Sequence, residues 1–242
     1  VTGDTAVVIP AANEADRIAA TVKAAAALPG VDLVVVVDDG SRDQTGRVAR
    51  AAGARVVRHS RNRGKAAAME SGAEAVRLLD EDAAPRHLLF LDADLGDTAG
   101  AAAPLVEPVR SGEADVTIAV FTTRVKLGGH GLVVRLSREG IRRATGLEFA
   151  QPLNGQRCLT RAAFEAARPL AHGFGVETAM TIDLVRKGFR VREVEVDMAH
   201  RATGTDWRAQ LHRAIQFRDV ARALAIRDPL VTQNLDKLHR KR

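Results

Sequence analysis

Tyrosine is absent from this 242-residue chain, tryptophan occurs once, and aromatic residues together make up 3%. Ala, Val and Leu must therefore fill the interior. A binder of single-stranded nucleic acid is disfavoured, because such proteins stack bases on aromatic platforms. A lone cysteine, Cys158, excludes an intramolecular disulfide and agrees with a reducing cytoplasm. No apolar run approaches the ~18 residues that span a bilayer, and nothing after Val1 reads as a signal peptide. A soluble, cytoplasmic protein is expected. Glycine is missing where a dinucleotide fingerprint would need it, since the stretch after the first apolar run reads PAANEAD. Ordinary NAD or FAD binding and a phosphate-loop ATPase are both disfavoured.

What is present is ordinary for a globular protein: 46% hydrophobic and 27% charged residues. The length suits one large α/β domain or two small ones. The formal net charge is +6, carried mostly by arginine. That excess fits anionic small molecules, an anionic membrane surface or nucleic acid, without choosing among them.

Apolar runs alternate with amphipathic segments through the first half. Strands are predicted at Thr5 to Pro10, Val31 to Val37, Arg55 to Arg58, Leu88 to Leu91 and Asp115 to Val120. Helices are predicted over Glu14 to Leu28 with Asn13 as N-cap, Thr45 to Ala52, Lys65 to Leu79 and Ala99 to Arg110. This alternation argues an α/β fold, a mostly parallel central sheet with helices on both faces. Beyond Val120, Phe121 to Gly131 reads as a glycine-containing mobile loop and Leu132 to Thr145 as a basic helix. Gln151 to Arg157 (QPLNGQR) is turn-like, and Thr160 should cap a helix over Arg161 to Ala167. Val176 to Lys187 is helical, Phe189 to Met198 alternates like a strand with one wet face, and Asp206 should cap a last helix from Trp207 to Arg227. With no internal repeat and no linker, one domain over 1–242 is expected, divided near residue 120 into a regular half and a variable half.

Polar residues gather where predicted strands end: Pro10 to Glu14, Asp38 to Ser41, and Asp92 with Asp94. In an open parallel sheet these ends share one edge, where ligands bind. Asn13, Glu14 and Asp39 are able to hydrogen-bond a nucleobase or ribose, but such residues equally build turns and caps. Asp92 and Asp94 close the run LLFLDADLGD. Two hard oxygen donors there suit magnesium or manganese on a substrate phosphate, although a solvated acidic turn explains the pair equally well. Lys65, after Gly64 at a helix start, suits a phosphate, or is simply a solvated charge.

In order, VVIPAANEADRI, VVVVDDGSRDQT, RNRGKAAAMESG and LLFLDADLGD resemble the successive motifs of family 2-like glycosyltransferases with the A-type, Rossmann-like fold. The resemblance implies transfer of a sugar from a UDP- or GDP-sugar donor, with Mg2+ or Mn2+ as cofactor. It makes residues 1–120 the nucleotide-sugar-binding half and 121–242 the acceptor-binding half. It implies nucleotide-sugar contacts at Pro10, Ala11, Asn13, Glu14, Asp39, Lys65, Asp92, Ala93, Asp94 and Arg201, and a metal at Asp92 and Asp94. More loosely, QPLNGQR, GFGVETAM and AHRATG resemble the glucosylphosphoglycerate and mannosylglycerate-type synthases, which implies His200 as a further metal ligand. Asn154 and Gln156 depart from the synthase pattern, leaving the acceptor open.

Glu177, in the first turn of its helix and after a glycine-rich turn, is the candidate catalytic base, because a helix N-terminus favours a charged carboxylate. A retaining enzyme would instead use it to orient the acceptor or the sugar. Asp183, six residues on, lies roughly 240° around a helix of ~100° per residue and cannot face the same substrate. The last helix pairs an apolar stripe (Trp207, Leu211, Ile215, Val220, Leu224) with arginines, and either packs on the domain or lies on an anionic membrane. Expected partners are thus the nucleotide-sugar donor, a small-molecule or lipid-linked acceptor, a peripheral membrane surface and a second copy in a homodimer; nucleic acid is not among them. Rival readings are a nucleotidyltransferase acting on a sugar phosphate, which would need a basic, glycine-rich loop in place of PAANEAD, and a non-catalytic sugar-nucleotide-binding protein.

Overall fold

A computed structural model describes residues 4–80, 84–122, 131–198 and 207–228, with side chains of the last helix from residue 214 onward. The expectations for His200, Arg201, Asp206, most of the loop at 121–131 and the basic tail lie outside the described residues.

Seven strands form a single sheet in the order β3-β2-β1-β4-β6-β5-β7. They are β1 (Thr5–Ala11), β2 (Val31–Asp38), β3 (Arg55–Arg58), β4 (His87–Phe90), β5 (Val116–Phe121), β6 (Arg157–Leu159) and β7 (Val191–Val196). β1, β2, β3 and β4 pair in parallel, as do β5 and β7. β6 was not predicted. It runs antiparallel to both β4 and β5 and separates them. The sheet is therefore mostly parallel, as its alternating pattern requires, with one reversed strand inside it.

Along β1 and β2, successive side chains point to opposite faces and feed two cores. Val8, Val35 and Val37 join one core with Met69, Ala73 and Val76 of α3 (Lys65–Asp80) and Phe164 of α6 (Arg161–Ala167). Val7, Ile9, Val34 and Val36 join the other with Ile18 and Val22 of α1 (Ile18–Ala26) and Leu105 of α4 (Ala103–Arg110). Gly72 lets α3 settle on the sheet. A Cβ there would sit 2.3 Å from Val8 Cγ1 and 3.1 Å from Val37 Cγ2.

Asn13 does not cap α1, which begins four residues later than predicted, after Arg17. Its backbone takes a left-handed turn at φ 59°, a region Asn tolerates better than most residues. Its side chain faces the neighbouring turn instead. The residues predicted as one helix from Ala99 form a 3-10 helix (Gly96–Ala102) followed by α4. Thr160 does cap α6, its hydroxyl accepting from the Ala163 N–H at 3.1 Å.

In the later half, α5 (Gly131–Thr145), α7 (Val176–Arg186) and α8 (Trp207–Ile226) pack on one another. Val220 of α8 is fully buried, and Leu224 lies over Gly140 of α5, which places this part of the apolar stripe against the fold. Asp183 pairs with Arg227 across α7 and α8, a structural role consistent with its place on the helix. Among the described residues, no helix is long and apolar enough to cross a membrane.

Candidate active site

The three strand-end turns do converge. β1 lies between β2 and β4 in parallel register, so the ends at Ala11, Asp38 and Phe90 share one edge. Backbone and side-chain bonds join the first two turns. The Asp39 N–H donates to the Ala11 carbonyl at 2.8 Å. The Asn13 N–H donates to Ser41 Oγ at 3.0 Å, and Asn13 Oδ1 accepts from the Arg42 N–H at 2.9 Å. The Glu14 N–H donates to Thr45 Oγ1 at 2.8 Å. Pro10 to Glu14 thus form a fixed ledge along the second turn.

Asp39 is 4% exposed and serves as the post of this ledge. Its carboxylate accepts from the N–H groups of Arg63 and Gly64, both at 2.8 Å, and lies 2.6 Å from His59 Nδ1. His59 Nε2 in turn meets Ser71 Oγ of α3 at 2.9 Å. The loop before Lys65 is thereby anchored to the sheet edge, which aims the first residue of α3 at the end of β4. His59 carried no motif in the sequence. Its role shows only when the chain brings residues 39, 59 and 71 together.

Past β4, the 92–94 turn is held through its backbone. The Ala93 carbonyl accepts from Thr21 Oγ1 at 2.9 Å, and the Asp94 carbonyl accepts from Arg17 Nη1 at 3.0 Å. The Asp92 side chain is fixed separately. Its Oδ1 accepts from Lys65 Nζ at 2.9 Å, and its Oδ2 accepts from Gln156 Nε2 at 2.9 Å. Lys65 Nζ also lies 2.9 Å from Glu177 Oε1. One ammonium therefore bridges a carboxylate at the end of β4 and a carboxylate in the first turn of α7. Burial alone would lower the Lys65 pKa, but the Asp92 and Glu177 charges outweigh it and hold the ammonium above its ordinary value. Lys65 is a fixed positive charge.

Gln156 and Gly155 close this arrangement from the far half of the chain. A Cβ on Gly155 would fall 2.3 Å from Lys65 Nζ and 3.2 Å from Asp92 Oδ1, so glycine is what lets the 152–156 turn approach the pair. The sequence drew attention to Gln156 only as a departure from a motif; its contact with Asp92 needed the unpredicted strand β6. A cavity of about 430 Å3 opens beside the bridge. Lys65, Asn62 and Glu177 give it a polar side, and Val133, Leu153 and Phe174 an apolar one.

Among the described residues, no group of three or more His, Cys, Asp or Glu side chains gathers to hold a metal. Asp92 and Asp94 are two hard donors one residue apart on the ligand-binding edge. That set suits magnesium or manganese, which take one or two carboxylates and complete their shell with phosphate oxygens and water. Of the residues singled out in the sequence, the structure joins Asp92, Lys65 and Glu177 directly. Asp39 reaches Lys65 through the 59–64 loop, while Pro10, Ala11, Asn13 and Glu14 form the adjoining ledge.

Known proteins resemble this chain in sequence and in fold. The chain is 31% identical over 207 residues to Glycosyltransferase AglJ of Haloferax volcanii, covering 83% of this chain and 64% of that protein. It is 30% identical over 193 residues to glucosyl-3-phosphoglycerate synthase of Mycobacterium tuberculosis, covering 73% of this chain and 59% of the synthase. The chain thus spans about three fifths of the length of either relative. A crystal structure of that synthase with Mn2+, uridine diphosphate and phosphoglyceric acid superposes with a TM-score of 0.73 at 26% identity, over 94% of this chain and 79% of the other. Another crystal structure of the synthase holds Mg2+ and uridine diphosphate. The sequence profile of glycosyl transferase family 2 matches residues 6–156, which span every strand-end turn and the Gln156 contact. The chain belongs to glycosyl transferase family 2.

Proposed function

We propose that this protein transfers a sugar from a nucleoside diphosphate sugar, UDP first among the candidates, to a hydroxyl of its acceptor. The observation that carries the reading is the Lys65 bridge. It holds two carboxylates from different halves of the chain, Asp92 and Glu177, on one fixed cation beside a cavity, which supports a donor side at Asp92 and an acceptor side at Glu177. The Mn2+ and Mg2+ complexes of the synthase support a divalent ion on the diphosphate here.

In this reading the ledge from Pro10 to Glu14, with the turn at Asp39, receives the nucleoside. Asp92 and Asp94, with His200 as a further candidate ligand, would hold the ion, which would supply Lewis-acid stabilisation of the departing diphosphate. Lys65 adds a preorganised positive charge for the same diphosphate, and the family resemblance makes Arg201 a further candidate for that role. Ala93 keeps the two carboxylates on a turn whose 93 and 94 carbonyls are already bonded by Thr21 and Arg17. Glu177 faces the acceptor, where its carboxylate takes the hydroxyl proton or orients the hydroxyl.

The test is release of UDP or GDP from a panel of sugar nucleotides in the presence of Mn2+, by wild type and Glu177→Gln. Wild type should consume at least one donor, with turnover about 100-fold lower in the variant, as for loss of a positioned base. Consumption of no donor, or equal turnover in the two proteins, would count against the reading. Proton NMR of the first-formed anomer then separates inversion, with Glu177 as base, from retention, with Glu177 as an orienting group.

A further inference from the structure

Arg157 is among the largest fully buried side chains among the described residues, 1% exposed at the start of β6. Among the described residues, all its bonded acceptors are neutral oxygens. Nε donates to the Asn154 carbonyl at 2.9 Å and Nη2 to the Pro152 carbonyl at 2.8 Å. Nη1 donates to the Glu177 carbonyl at 3.1 Å and to Thr181 Oγ1 at 3.0 Å. Thr181 Oγ1 itself donates to the Glu177 carbonyl at 2.8 Å. A buried charge without a bonded counterion is costly, and burial pulls this guanidinium down to about 10 against the opposing charges of Glu177 and Glu193. An apolar residue would fill the volume without that cost.

The segments it joins explain its presence. One is the 152–156 turn, whose Gln156 donates to Asp92. The other is the first turn of α7, which carries Glu177. Asp92 and Glu177 then meet again through Lys65. The result is a closed circuit: Arg157 to the turn, Gln156 to Asp92, Asp92 to Lys65, Lys65 to Glu177, and the Glu177 backbone to Arg157. The planar fork of arginine spreads its donors over three nitrogens held in one fixed geometry, whereas lysine gathers its donors on a single rotatable nitrogen.

We propose that Arg157 is a positioning residue that fixes the separation between the donor-side Asp92 and the acceptor-side Glu177. It touches neither substrate nor metal; it acts through the two segments it ties. The inference rests on the proposed transferase reading, and its test has one arm that does not.

That arm is hydrogen exchange in Arg157→Lys and Arg157→Met, read at 152–157 and 176–181. Both segments should exchange at least tenfold faster together, while β1, β2 and α3 keep wild-type rates. Acceleration in neither segment or in only one, or throughout the sheet, overturns the coupling. The second arm compares UDP affinity in Mn2+ with donor turnover. UDP affinity should stay within threefold of wild type while turnover falls about 100-fold in Arg157→Met, the scale of a 1 Å misplacement, and about tenfold in Arg157→Lys. Turnover within threefold of wild type, or affinity falling in step with turnover, overturns the positioning role. If Arg157→Met does not fold, Arg157→Lys alone decides both arms. If wild type consumes no sugar nucleotide, the transferase reading fails by itself, and the exchange arm still decides whether Arg157 couples the two segments.

Discussion

Residues 4–121 and residues 131–198 build their parts of the site in different ways. The first region uses strand ends that follow one another in the chain, each finished by a local turn and tied to the turn beside it by bonds such as Asn13 to Arg42 and Asp39 to Gly64. The second contributes Gly155, Gln156 and Arg157 at the start of a three-residue antiparallel strand inserted between β4 and β5, and Glu177 from the first turn of α7. Motifs therefore write the strand-end turns of the first region in order, whereas the contribution of the second region exists only after long-range packing.

Substitutions in the two regions should fail differently. Asp39→Ala, on the local side, should have the largest effect on stability. It strips the acceptor from two backbone N–H groups and from buried His59, and about 3 kcal/mol should be lost in chemical denaturation. A loss under 1 kcal/mol would mean that the ledge holds without its post. Gly72→Ala pushes a methyl against Val8 and Val37 and should cost about 2 kcal/mol by overpacking, measured the same way. Gly155→Ala should leave the melting transition nearly unchanged but lower donor turnover about tenfold, some 1.4 kcal/mol in the barrier, because the new methyl displaces Lys65 from Asp92. Equal turnover would separate the second region from the donor machinery and break the comparison.

The smallest effect concerns pH. Asp115, just before β5, is hydrogen-bonded by Arg190 at the foot of β7, which holds its carboxyl below the ordinary 3.8. A depressed carboxyl contributes stability above its unfolded value, and that contribution is lost as pH falls through the folded one. Asp115→Asn should therefore flatten the decline in stability below about pH 4, by less than about 1 kcal/mol for a pair near the surface. An unchanged acid limb would remove Asp115 from that decline.

The contrast also explains what the sequence made legible. The strand at Arg55–Arg58 and the Thr160 cap were readable because both depend on adjacent residues. So were Asp92, Asp94 and Lys65 as candidates, because strand ends and a helix start locate them. Asn13 was misassigned as a cap because the residue type that caps helices also adopts left-handed turns. β6 was missed because three residues leave no period to read, and QPLNGQR looks like a turn up to its last residue. Arg157 was overlooked because arginine is mostly exposed in proteins, and nothing local marks one that points inward at carbonyls. Gln156 and His59 have the same character: their partners lie 64 and 20 residues away.

The central claim is that Asp92 and Lys65 mark a metal-dependent diphosphate site. Its most direct test is calorimetric titration of UDP into wild type and Asp92→Ala, with and without Mn2+. The account predicts that Mn2+ tightens UDP binding at least tenfold in wild type and by less than twofold in Asp92→Ala. The same metal dependence in both proteins, or UDP binding indifferent to Mn2+ in wild type, would contradict it.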